Sequence, residues 1–525
     1  MSKQATKSSP GEWSRMWASA SFVGVLIVIG LPLWWKTTEV FRVALPYDRI
    51  NAFDTEAHYV TTRLTILACD EKTAADVADE IQKAFDSSDV IRLKIDKYIL
   101  HAELQNVLNT VADEEEATEK VGEIINLDEP NTFYVVQRKP LNHHVWVGPE
   151  RLAFFRDSGA TSKLIDCLTK WIYQPSVLLG ARSELADEAR QVRFPSGSGY
   201  HIVLSVVHPK PHKLQVDFDA AEAVEDYVGT FVDKLSELHN FTLKSQWLYL
   251  LDFEFQARKA MDSSEVGYHY AVRQERLHSL LTKLEERAAT HVSEQPTMNL
   301  ALYVVPCEIS PLYIYDQNDK KVESPVQAFM SPKWGGVVLC SPECGAGVYR
   351  PRSQLVMGTF VSQLRKLLGI TEKVTIDGVH LVPLHSVSPR DWEVDTLLRI
   401  RTLEQVSSAE RSLKSLAKLL GEISNIVINE DVGASITTAV TNIHDSSELM
   451  MAGELRGAHE KSRVAFLAAE TAFMEPSLLA LLYFPDDQKY AIYIPLFLPI
   501  MFPVILSLKN LVLWLKGASP KEKLD

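Results

Sequence analysis

Two stretches of this chain carry no charge. Met16 to Trp35 is one, and Tyr490 to Leu508, bracketed by Lys489 and Lys509, is the other. At about 1.5 Å per residue, a helix over either stretch spans roughly the 30 Å of a bilayer core. Between them, from 36 to 489, apolar and polar residues alternate on a shorter scale and no comparable run recurs. The pattern predicts a large water-soluble domain tethered by one transmembrane helix at each end.

Within the middle, strand-like and helix-like periods take turns. Arg63–Cys69, Thr132–Gln137, Tyr200–Val207, Thr242–Phe253, Leu300–Val305, Leu312–Tyr315 and Gly336–Leu339 read as strands. Amphipathic helices are expected near Ala74–Phe85 and over Asp219–Leu238. The alternation predicts α/β (mixed α+β) layers over 36–390. After Pro389, apolar residues keep helical spacing from Leu397 to Ile423 and again from Val464 to Ala472, with Arg, Lys and Glu on the other face. This predicts two or three long helices forming a helical layer over 391–489. No internal repeat is evident, and the acidic patch Asp113–Glu116 reads as a solvated helix face.

Flanking residues orient the spans. Trp13, Trp17, Trp34 and Trp35 stand near the two ends of the first, where indoles favour the headgroup boundary. Twenty apolar residues exceed a signal-peptide core, and Leu33-Trp34-Trp35 is wrong for a cleavage site, so a retained anchor is expected. The tails 1–15 and 509–525 hold seven Lys and Arg, against Lys36, Arg42, Arg49 and Lys489 on the inner flanks, which favours cytosolic tails. The single sequon, Asn240-Phe241-Thr242, is usable only if the middle is luminal. Lys521 and Lys523 form a candidate K-x-K-x-x retrieval signal to the endoplasmic reticulum; the other reading is a generic basic flank. In the second span Pro495, Pro499 and Pro503, spaced by four, stack their missing donors on one face. A bend is expected there, with neighbouring helices covering the freed carbonyls. That span is assigned to 490–508, extensible to 515.

Charge and cysteines narrow the function. Of 54 Lys+Arg and 68 Asp+Glu, seven and three lie outside 36–489, leaving the middle at −18. Such a surface disfavours nucleic acid and anionic lipid. Five cysteines are too few for a disulfide scaffold. Cys340 and Cys344 form a candidate local bridge, while Cys69 and Cys307 read as buried thiols. No metal, cofactor or catalytic motif is found. Ser196-Gly197-Ser198-Gly199 lacks both the nucleophile-elbow spacing and a phosphate-loop Lys, and Trp334-Gly335-Gly336 lacks a loop-then-helix context. His143-His144 are adjacent and poorly placed for joint ligation, and His380 and His385 have no acidic helper at metalloprotease spacing. The rival to a non-catalytic reading is a membrane-tethered luminal hydrolase or transferase using a Cys–His or Ser–His pair that sequence spacing does not reveal.

Several strings are similar to one family. Leu31-Pro32-Leu33-Trp34-Trp35-Lys36-Thr37-Thr38-Glu39 and the run from Pro476 to Pro499 resemble the S-subunit family of the glycosylphosphatidylinositol (GPI) transamidase. So do Ser310–Ile314, Ser331–Gly336 and Leu420–Ile428, in the expected order. The sequon at Asn240 also falls in a stretch similar to one bearing a sequon in that family. The resemblance implies a non-catalytic subunit of the complex that removes C-terminal signals and attaches preassembled GPI anchors in the endoplasmic reticulum. It implies catalytic residues in another chain, the K subunit, and partnership with the T, U and anchor-attachment (Gaa) subunits. It carries over no functional residue.

Overall fold

The structure, a computed structural model, describes residues 10–515 apart from 31, 34–35, 37–40, 54–57, 184–192, 196, 198, 254–256, 262–267, 289–294, 344, 346, 424–425, 477 and 479–485. It divides into two compact units.

The smaller unit comprises Met1–Asp48, Leu413–Thr437 and Glu470–Asp525. Its N-terminal helix Pro10–Val25 continues into a wider turn at Leu26–Gly30 and packs against the C-terminal helix Asp486–Leu515. Val23 and Val504 are buried, whereas Phe22, Ile27, Val28, Ile494, Leu498 and Phe502 are exposed. Pro495, Pro499 and Pro503 all lie inside the C-terminal helix. Among the described residues, no helix is long and apolar enough to cross a membrane. Leu31, Trp34 and Trp35 of the first expected span lie outside those residues.

The larger unit, Arg49–Ser412 with Thr438–Ala469, holds the α/β layers. Its first sheet uses β1 (Val60–Ala68), β2 (Ile91–Ile99), β3 (Thr132–Gln137), β4 (Val145–Val147) and β5 (Leu152–Phe155). Its second uses β6 (Gly199–His208), β8 (Asn240–Tyr249), β11 (Thr297–Val304), β13 (Gln327–Ser331) and β14 (Gly335–Cys340). The strand orders are β16-β4-β5-β3-β1-β2 and β13-β14-β11-β6-β8, where β16 is Val379–Leu381. Between the second sheet's members lie β7 (Gln215–Val216), β9 (Arg258–Met261), β10 (Tyr268–Arg273) and β12 (Leu312–Tyr315), and β15 (Val348–Tyr349) follows β14.

These orders are the same plan used twice. In each sheet the first strand is next to the edge, with the second strand paired parallel on its edge side and the third parallel on the other. An antiparallel hairpin then adds its second arm parallel to the third strand. The sequence shows no repeat, yet the topology does. In the second half a three-stranded sheet, β12-β10-β9, is inserted. Its apolar residues join Val207, Tyr303, Trp334 and Val337 in one core.

Local chemistry explains the elements. Helix α1 (Glu71–Phe85) starts at Asp70, whose carboxylate accepts from Thr73 N–H, and it buries Ala74, Val77, Ala78, Ile81 and Phe85 on one stripe. The expected helix from Asp219 is shorter than the pattern predicts, running from Ala220 to Asp233 through a wide π-type turn at Val224–Gly229. The β13–β14 turn needs Gly335. Its φ is +147°, and a Cβ there would sit 1.8 Å from the Asn299 carbonyl oxygen.

After the second half come α2 (Ser353–Leu368) and three long helices: α3 (Asp391–Glu422), α4 (Glu430–Ala452) and α5 (Leu455–Phe473). The sequence pattern places Arg, Lys and Glu of α3 on the face away from its apolar residues; Lys418 and Glu422 are indeed exposed, but the earlier charges are not. Glu393, Asp395, Arg399, Arg401, Glu404 and Glu410 are all buried. The physical reason is that the first turns of α3 touch both halves. Trp392 Nε1 donates to Gly148 O and Thr396 Oγ1 to Ile172 O in the first half. Arg401 donates to Phe194 O and Leu368 O in the second. Glu114 of the acidic patch is corrected too: it pairs at 3.0 Å with the fully buried Arg138, which also donates to Leu108 O and Val111 O.

Candidate functional site

In open parallel sheets ligands sit where the strand order reverses, beyond the carboxyl ends of the strands. Both such crevices are filled here. Between β1 and β3, the Gln137 side chain bridges the gap and accepts from Cys69 N–H at 2.9 Å. Between β6 and β11, a cavity of only 10 Å³ remains, lined by His208, Lys213, Val305, Cys307 and Glu308. Lys213 and Lys210 both pair with Glu308, and the hydrogen bond from Lys213 leads in holding that carboxyl down to about 2.

A Ser–His–Glu arrangement does assemble. Ser447 Oγ lies 2.8 Å from His58 Nδ1, and His58 Nε2 lies 2.6 Å from Glu410 Oε1. A carboxylate only accepts, so Nε2 is the donor to Glu410 while Nδ1 meets the Ser447 hydroxyl. All three residues are at most 8% exposed. Ser447 stands within α4, where backbone N–H groups are committed to carbonyls one turn earlier. An oxyanion needs free donors aimed at it. This triad ties two helices to the loop at His58 and has neither substrate access nor an oxyanion hole.

The free thiols are equally poor nucleophiles. Burial pushes the Cys69 and Cys167 thiols up, and it pushes Cys340 up to about 11. The thiolate is the reactive form, so at neutral pH these are inert side chains. Cys340 is a free, buried thiol whose neighbour is Tyr349, so the expected Cys340–Cys344 bridge is corrected. Cys307, expected as a buried thiol, is disulfide-bonded instead. Its short turn after β11 lies against the loop after β14, where Ser310 donates to Pro342 O and Ser341 accepts from Leu312 N–H. Cys344 lies outside the described residues, as do Lys521 and Lys523.

Asn240 is the exposed first residue of the edge strand β8. His143 stacks on His380 with ring centroids 4.9 Å apart, whereas His144 faces Arg156. His385 pairs with Glu115 on the surface. Among the described residues no group of His, Cys, Asp and Glu could hold a metal ion.

Sequence reasoning missed the charged clusters of α3. Asp395 receives Arg151 Nε at 2.7 Å and Nη2 at 2.9 Å, while Arg399 donates to Asn131 Oδ1 and Ile172 O. Glu393 receives Arg365 Nη2 at 3.0 and 2.9 Å and Arg390 Nη1 at 3.3 Å, with Lys373 Nζ at 3.8 Å. Burial would raise the Glu393 pKa, but Arg365, Lys373 and Arg390 together hold it below the usual range. These groups open on a cavity of 350 Å³. The signal available in the sequence was that charges occupy every face of the first α3 turns.

Comparison with known proteins follows the chain almost from end to end. The family described as "Phosphatidylinositol-glycan biosynthesis class S protein" matches residues 21–517. "GPI-anchor transamidase component PIGS" of Bos taurus is 33% identical over 97% of this chain and 97% of its own length. The protein of the same description in Homo sapiens is 33% identical over 94% of each. The "GPI transamidase component PIG-S homolog" of Schizosaccharomyces pombe is 22% identical over 93% of this chain and 82% of its own.

Proposed function

This chain belongs to the phosphatidylinositol-glycan biosynthesis class S family, and on that premise we propose that it is a non-catalytic structural subunit of the GPI transamidase complex. The observation that carries the reading is near-full-length similarity to proteins named as components of that complex. Catalytic residues then lie in another chain, the K subunit, and the T, U and Gaa subunits are the further partners. Protonated free thiols and a sealed Ser447–His58–Glu410 cluster support a non-catalytic chain over a hydrolase.

The subunit resides in the endoplasmic reticulum membrane, with residues 36–489 in the lumen and both tails in the cytosol. Charge-free runs at Met16–Trp35 and Tyr490–Leu508 support two spans, as does the apolar surface exposed on the paired terminal helices. A disulfide at Cys307 fits an oxidising compartment. Asn240 is the glycan acceptor, Lys521 and Lys523 the retrieval signal, and Pro495, Pro499 and Pro503 bend the second span. A double tether would hold the middle of the chain, 36–489, near the bilayer, and a partner protease domain held by it is restricted in orientation, a proximity contribution to rate.

The test is complex composition and output in cells that depend on the tagged chain. Co-purification in fixed ratio with a few subunits is expected, with loss of GPI-protein display when residues 36–489 are deleted and both terminal helices are kept. Substituting Cys69, Cys167, Cys340 or Ser447 singly by Ala should leave display intact. A purified single chain that turns over substrate unaided would overturn the reading.

A further inference from the structure

Around the first turn of α3 the charges do not balance. Three cations, Arg365, Lys373 and Arg390, share the one carboxylate of Glu393, whose side chain is 2% exposed. Lys366 on the rim is matched by Glu372 at 2.7 Å. Two positive charges are therefore left over. The Arg390 side chain is only 7% exposed, and its Nε has no hydrogen-bond partner; neither does the buried Arg365 Nη1. Leaving charged donors desolvated and unmatched is costly, and a fold that keeps them has room for an anion to complete the set.

The room is present. Arg365, Lys373, Arg390 and Glu393 line the 350 Å³ cavity together with Ser362 and Thr371. A water in liquid takes about 30 Å³, so the space admits a small oxyanion with some hydration. A guanidinium presents planar donors suited to phosphate oxygens, and a lysine ammonium adds a compact point charge. Inorganic phosphate brings between one and two negative charges at neutral pH, which fits a surplus of two better than a single carboxylate does, and a phosphodiester brings one.

We propose that this cavity binds a phosphate group, donated either by free inorganic phosphate or by the phosphodiester of a glycolipid headgroup, with Arg365, Lys373 and Arg390 as its contacts. The phosphate chemistry stands on these residues alone, while the glycolipid as its source rests on the proposed subunit role.

The experiment uses the full-length chain in its purified complex and calorimetric titration with inorganic phosphate, with glycerophosphoinositol and with a Glu-rich peptide. Two variants isolate the cavity. Lys373→Gln removes a cation whose ion pair with Glu393 is long, so folding should survive. Thr371→Glu, on the exposed rim, supplies a competing carboxylate. Saturable binding of phosphate or of glycerophosphoinositol, weakened at least tenfold in both variants, is expected. The tighter of the two identifies the source. Binding by neither, or equal binding by wild type and variants, overturns the proposal. So does variant-sensitive binding of the acidic peptide alone.

Discussion

Glu393 and Asp395 stand two residues apart on α3, are each 2% exposed, and meet opposite halves of the large unit. Side chains so spaced do not share a helix face. Asp395 turns to the first half, where Arg151 clasps it with two nitrogens and the third reaches Leu127 O. Arg399 beside it is spread over Asn131 Oδ1 and Ile172 O. Glu393 turns to the second half and faces three cations, two of which keep an unpartnered nitrogen. One cluster is closed by backbone carbonyls and the other opens on a cavity. The difference separates charge that fastens the halves from charge that awaits a ligand, though the same helix carries both.

The sharpest way to break that contrast is to remove Asp395. Asp395→Ala leaves Arg151 and Arg399 buried without their counter-charge, and losing one partner of a buried pair costs about 3–5 kcal/mol. Denaturant unfolding of the purified chain should show a loss on this scale, and added phosphate should not restore it, because this cluster has no cavity to admit it. A loss below about 1 kcal/mol would show that the closed cluster fastens nothing.

A third cluster on α3 tests the same idea at smaller scale. Ser447→Ala removes the hydroxyl that satisfies His58 Nδ1, leaving a buried ring nitrogen unmatched at a cost of about 1–3 kcal/mol. Stability should fall by that amount in thermal unfolding while GPI-protein display is retained. Lost display in a stably folded, assembled variant would turn this triad from a fastening into chemistry.

How much of this was readable beforehand depends on range. Strands such as Thr132–Gln137 and Leu312–Tyr315 were located to the residue because their alternation or apolar runs are local properties. The three helices after Pro389 were legible for the same reason. The repeated strand order was not, since pairing β1 with β3, or β6 with β11, depends on contacts far apart in the chain. His58, Glu410 and Ser447 meet across more than 350 residues, beyond any spacing rule. The burial of the first α3 charges is not readable from helical periodicity, because that part of the helix lies between two halves, whereas Lys418 and Glu422 further along are exposed. Cys307 went unrecognised because a bridge depends on which loops meet, not on which cysteines are neighbours in sequence.

The smallest effect discriminates most finely, and it concerns Lys373. Burial leads in pushing its ammonium down to about 8 from 10.5, with Arg365 and Arg390 adding to the push and Glu393 opposing it. Between those two values the unfolded chain holds a proton that the folded chain has released. Stability therefore rises with pH across that window: the penalty of the buried charge is fully present below about 8 and is relieved as pH approaches 10.5. Lys373→Met removes the group, so the gap between wild type and variant should narrow in wild type's favour from pH 8 to 10.5. At neutral pH the variant should be the more stable, and that advantage should shrink as pH rises. Saturating phosphate should stabilise the ammonium, moving the wild-type window upward and erasing the variant's neutral-pH advantage. Arg151, the corresponding cation of the closed cluster, is held up by Asp395 against its burial and offers no such window. A pH profile indifferent to both Lys373 and phosphate would mean that water alone balances the second cluster, and the two sides of α3 would then differ only in how wet they are.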